Sequence, residues 1–173
     1  MQFNIKNSIG ILEQTPQILK ELLKNLPIEL THQNEGANTW SPFHVVAHLI
    51  HGEKTDWIPR TLIMLSDSEN KKFEPFNMTA HFQNSDGKTI HELLTNFEIL
   101  RKENIKILKS FYLSEENLKQ KGIHPEFGEV TLKQHLATWT VHDLGHIAQI
   151  SRVLAKNYTE EVGPWNKYLS ILK

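Results

Sequence analysis

Apolar residues recur at three- and four-residue spacing along four long stretches of the chain, divided by segments rich in polar residues, proline and glycine. That spacing lines up one face of an α-helix. The first stretch covers residues 4–26, with Ile5, Ile9, Leu12, Ile18, Leu22 and Leu26 on its stripe. Pro16 predicts a kink or break inside it. Residues 29–40 are polar and read as a loop. Ser41-Pro42 then gives a start signal, because serine caps free N–H groups and proline suits the first helical position. The second helix is expected over residues 42–65. It is apolar around most of its circumference, which implies heavy burial, and Pro59 should bend it.

Residues 66–88 form a long connection carrying Phe73, Phe76, Met78 and Phe82. That many apolar side chains predict a segment folded back on the body, over the mouth of a site. The third helix is expected over residues 89–111, with Ile90, Leu93, Leu94, Phe97, Leu100, Ile107 and Leu108 inward. A helical turn over 114–121 and a turn region around Pro125 and Gly128 follow. Thr131 caps a fourth helix over 131–156. Gly163-Pro164 breaks the tail, and residues 165–172 form an amphipathic piece that should dock on the body or on a second subunit. No stretch reads as a strand. Helices of roughly 20–25 residues are about 30–38 Å long, and four of them make an all-α four-helix bundle. The expected organisation is one domain over residues 1–173.

Composition narrows the function. The net charge is -1 with neutral histidines, and the lysines and arginines are dispersed, so neither nucleic acid nor an anionic membrane is expected as partner. There is no cysteine, which rules out disulfides, thiolate ligands and a protein-borne thiol nucleophile. No apolar run reaches about 18 residues, and no basic stretch leads into an apolar one near Met1. A cytoplasmic location is the expectation. The unusual count is ten histidines, against roughly four for ordinary usage. Many imidazoles without thiols point to metal binding or acid–base chemistry.

The fourth helix carries the clearest signal, His142-Asp143-Leu144-Gly145-His146. At about 100° per residue the two histidines lie about 40° apart on the wheel, one turn from each other. Val153, Trp139, Leu132 and Ile150 share that face, so the pair lies on the apolar stripe. Bundles build metal sites from such inward side chains. The bland alternative is two core histidines satisfied by hydrogen bonds. A third ligand must come from another helix. His44, His48 and His51 share one face of the second helix, and His48 has the most apolar surroundings. His44 and His51 read as surface or supporting groups, and His135 as a core or supporting group. His32, His81, His91 and His124 read as ordinary. Three imidazoles leave a coordination position open for water or substrate.

Two other metal families use similar strings. Zinc proteases carry H-E-x-x-H, with glutamate as base, where this chain has Asp143. HD phosphohydrolases pair histidine with aspartate but need a later aspartate ligand, and no aspartate follows Asp143.

The chain resembles the DinB-like (DinB/YfiT) superfamily of metal-dependent enzymes. The resemblance rests on Trp40-Ser41-Pro42 leading to Val46-Ala47-His48-Leu49-Ile50 with Glu53 after it. It also rests on residues 124–132 running into His142-Asp143-Leu144-Gly145-His146-Ile147-Ala148-Gln149-Ile150, and on the tail Val162-Gly163-Pro164-Trp165. It implies an up-down-down-up bundle, often a homodimer, with a three-histidine site carried here by His48, His142 and His146. The implied cofactor is a divalent metal, nickel or zinc. The implied activity on a small molecule is hydrolysis or S-transfer from a low-molecular-weight thiol of the bacillithiol type. The alternative is a non-catalytic, metal-binding stress-response bundle. Glu53 and Asp143 stand beside the ligands as possible supporting groups.

Overall fold

The computed structural model describes residues 2–173. Its helices are α1 (Ile5–Leu23), α2 (Ile28–His32), α3 (Pro42–Thr55), α4 (Trp57–Leu65), α5 (Ala80–Ser85), α6 (Ile90–Ser110), α7 (Glu115–Leu118) and α8 (Leu132–Lys156). A hairpin, β1 (Lys121–His124) and β2 (Gly128–Thr131), precedes α8. Two 3-10 turns, Gly163–Tyr168 and Ser170–Leu172, close the chain, the second against α8. Among the described residues no helix is long and apolar enough to cross a membrane.

The helix starts follow the caps in the sequence. Ser41 accepts from the His44 N–H with Pro42 at the first helical position. Thr89 with Glu92 and Thr131 with Gln134 form reciprocal capping boxes at α6 and α8. The expected second helix is divided at Asp56 into α3 and α4. Pro59 explains the position. It has no N–H to give the Thr55 carbonyl, and its ring crowds that carbonyl, so α3 ends at Thr55, four residues before the proline.

Pro16 leaves α1 unbroken. The Leu12 carbonyl that it deprives of a partner accepts instead from Arg101 Nη1 at 2.8 Å. The hydrogen bond lost inside the helix is replaced from α6, so the helix tolerates the proline.

Two apolar clusters fill the bundle and fix its direction. One joins Leu19 and Leu23 at the end of α1, the start of α3 around Val45 and Val46, the start of α6 around Leu93 and Phe97, and Ile150 late in α8. The other joins Leu12 early in α1, Trp57 and Met64 in α4, Ile105 and Leu108 late in α6, and Leu132, Leu136 and Trp139 early in α8. α1 and α8 therefore run one way, and α3–α4 and α6 the other. This is the up-down-down-up order, with the parallel middle pair joined by the long 66–89 connection.

Four readings of the sequence need correction. The residue 122–130 region is not only a turn: Lys121–His124 pairs antiparallel with Gly128–Thr131. Strands of four residues are too short to show alternation. Ile123 also exchanges backbone hydrogen bonds with the 66–89 connection, through Phe73 N–H and the Lys71 carbonyl. The loop expected over 29–40 begins with the short helix α2. Ile18 and Ile107 are exposed, while Leu19 and Ile105 take the inward positions. Finally, Arg101 and Asn104 sit on the buried stripe of α6, where an apolar run was expected.

Candidate metal centre and its cavity

Between the two apolar clusters lies a polar layer. Arg101 is its centre and is fully buried. Its guanidinium reaches Glu53 of α3 through Nη2 at 2.7 Å and Asp143 of α8 through Nη1 at 2.6 Å. Its faces meet the Phe97 and Trp139 rings at 4.9 and 5.2 Å. Asn104 donates to the Glu53 carboxylate at 2.9 Å and to its backbone carbonyl at 2.8 Å. Burial pushes the Glu53 carboxyl up, with Arg101 acting against it. This network ties α1, α3, α6 and α8 together beside the histidines. Asp143 thus spends both oxygens on Arg101, and Glu53 divides its two between Arg101 and Asn104.

His48 of α3 and His142 and His146 of α8 meet on one side of this layer. His48 Nε2 is 3.1 Å from His142 Nε2, which is 3.1 Å from His146 Nε2. The one-turn spacing on α8 brings its pair together, and helix packing brings His48 across 94 residues of chain. Burial, then the neighbouring histidines, pushes His48 down to about 2 and His142 down to about 3; burial also lowers His146. The three rings are therefore neutral near pH 7, the form that ligates metals. His146 Nδ1 lies 2.8 Å from Gln149 Oε1, to which it donates. That bond places the proton on Nδ1 and leaves the Nε2 lone pair toward the other histidines. The Nδ1 atoms of His48 and His142 are buried without a partner.

The donor set fits a divalent ion. Nitrogens about 2.1 Å from one ion at tetrahedral to right angles lie about 3.0–3.4 Å apart, which covers the observed spacing. Among the described residues, these three are the one group of ligand-bearing side chains drawn this close. His44, His51 and His135 stay outside it. His135 is buried and its Nε2 lies 2.9 Å from the Trp57 carbonyl.

The cluster opens on a cavity of about 420 Å³. Trp40 covers one side, its ring 4.7 Å from His48 and stacked 6.3 Å from His146. The loop that carries Trp40 is held by Glu35, which accepts from Arg152 Nε of α8 at 2.9 Å. Phe73, Phe76 and Met78 from the long connection line the cavity, as expected of a segment folded over the site. That connection also buries His81 against Trp40, with ring centres 4.5 Å apart, and 5.6 Å from His48. The sequence alone gives His81 no such place, because it falls in a stretch that reads as a connection rather than a helix face.

Sequence reasoning also missed Arg101 and Gln149. Arg101 could have been found as a charge on an apolar stripe. Gln149, three residues after His146, could have been found as the partner a ligating imidazole needs.

The family model described as DinB superfamily matches residues 11–150. The chain belongs to the DinB superfamily. No curated protein matches it in sequence. Among solved structures it is similar to YfiT from Bacillus subtilis, with a TM-score of 0.70 and 20% identity, over 92% of this chain and 87% of that one. YfiT is described as a probable metal-dependent hydrolase with an unusual four-helix bundle topology. The shared fold agrees with the helix order derived above for this DinB-superfamily chain.

Proposed function

We propose that His48, His142 and His146 hold one divalent metal ion and that the chain is a metal-dependent hydrolase of a small molecule. The observation that carries this reading is the convergence of three neutral Nε2 atoms at the wall of a cavity, rather than inside a closed core. The description of YfiT supports it. A divalent ion held by imidazoles lowers the pKa of bound water toward about 7 and polarises a substrate oxygen.

The chain's own residues supply the rest. Gln149 fixes the His146 tautomer. Trp40, Phe73 and Phe76 present apolar surface that excludes bulk water and holds an apolar substrate. The Arg101 network holds α3 and α8 in the register that brings His48 to the α8 pair. Imidazole ligands suit nickel and zinc alike. Because the chain has no cysteine, a thiol-transfer version of this chemistry would take its thiolate from a low-molecular-weight cosubstrate. Hydrolysis needs only water and is the preferred reading. A non-catalytic site would be saturated by protein ligands, whereas His44, His51 and His135 lie outside this group.

The test is elemental analysis of untagged protein, wild type against His142→Ala, followed by ester and amide hydrolysis with and without chelator. About one equivalent of metal per chain is expected, lost in the variant along with activity. Wild-type protein that takes up neither nickel nor zinc would sink the proposal.

A further inference from the structure

Away from the histidines, the cavity wall contains a buried cation. Arg60 of α4 is 7% exposed and lines the cavity beside Asp56, His124 and His135. Its Nε pairs with Asp56 Oδ1 at 2.8 Å, its Nη2 donates to the Glu74 carbonyl at 3.1 Å, and its carbon lies 5.1 Å from the Phe73 ring centre. The Glu74 bond and the Phe73 face hold the guanidinium, whereas Asp56 Oδ1 receives no aligned hydrogen bond from it. Its Nη1 makes no hydrogen bond to any described residue. Trp57, Phe76, Met78 and Phe127 add apolar walls, with Gln134 and Thr138 among them.

Asp56, 2.8 Å away, offsets this charge in part. Burial pushes its carboxyl up to about 6, against the pull of Arg60. The charge also reaches the two imidazoles on the same wall. Arg60 pushes His124 and His135 down, in each case after burial. This corner of the cavity therefore holds a buried guanidinium that Asp56 opposes from one side and whose Nη1 is left without a partner among the described residues.

We propose that Arg60 is a specificity-determining residue that receives an anionic group, such as a carboxylate, of an amphipathic substrate whose apolar body fills the aromatic cavity. A guanidinium with one edge already fixed offers its remaining N–H groups at small entropic cost. The inference rests on the proposed metal site only in assigning the substrate's reacting group to the histidine end.

The experiment uses chelator-treated full-length protein, so that no metal can attract the acid. Binding of 3-phenylpropionate and of its neutral analogue 3-phenylpropanamide is followed by ligand-observed NMR titration. The acid should bind about tenfold more tightly than the amide. Arg60→Gln should reduce that preference to about twofold or less without weakening the amide. Asp56→Asn removes the competing carboxylate and should enlarge the preference severalfold. The two variants push in opposite directions, so loss of fold in one leaves the other decisive. Equal binding of acid and amide in wild type, a preference that survives Arg60→Gln or shrinks in Asp56→Asn, or binding of neither compound overturns the proposal. Metal content is measured in parallel. Metal uptake without acid preference removes Arg60 alone; acid preference without metal uptake removes the metal site alone.

Discussion

Gln149 shows how much one side chain can decide. Its oxygen holds the His146 Nδ1 proton at 2.8 Å and so chooses which ring nitrogen faces His142. Loss of such a partner costs about 10–100-fold in metal affinity. Gln149→Ala should therefore weaken metal binding by that factor, read by competition with a chromogenic chelator, with little change in melting temperature. Gln149→Glu, which keeps the acceptor, should restore most of the affinity. Unchanged affinity in the alanine variant would mean that the ring is oriented by packing alone. At this scale the sequence was legible where a residue acts through spacing. His142 and His146 are four apart on a stripe, and His48 stood out by its apolar neighbours. It was illegible where a role depends on what packs opposite. His81 looks like a loop residue until the long connection folds it under Trp40.

Among the elements the sequence concealed, the hairpin is the one that shapes the cavity wall. Gly122 in β1 faces Phe73; a Cβ there would overlap the Phe73 ring and come within 3.1 Å of Met64. Phe73 in turn lies under the Arg60 guanidinium. Gly122→Ala should thus expel Phe73 and destabilise the protein by about 1–3 kcal/mol, the usual cost of overpacking. Urea denaturation checks it. The double variant Gly122→Ala/Phe73→Leu, which vacates the ring, should recover part of the loss. The long helices were legible because caps, periodicity and prolines all act within a few residues of each other. The division of the second helix was anticipated as a bend at Pro59. It falls at Asp56 because the proline acts on the carbonyl four residues earlier.

For the whole molecule, the polar layer is the element of design that no single helix reveals. Arg101 holds Glu53, Asp143 and the Leu12 carbonyl at once, between the two apolar clusters. Removing one partner of a buried ion pair costs about 3–5 kcal/mol, because the remaining charge stays dehydrated. Arg101→Met should destabilise by at least that amount, leaving two carboxylates buried together. Adding Glu53→Gln and Asp143→Asn to it should return much of the stability, as measured by thermal unfolding. A single variant as stable as wild type would show the network to be dispensable. The bundle class was legible from four amphipathic stretches, whereas this network joins residues 12, 53, 101 and 143, whose proximity exists only after folding.

His48 and His142 are separated by 94 positions. Translation proceeds at about 5–20 residues per second, so His48 emerges about 5–19 seconds before its partners. Throughout that interval the growing polypeptide offers only a lone imidazole from this trio. At the proposed site, all three ligands would be available to an ion only after α8 has been made.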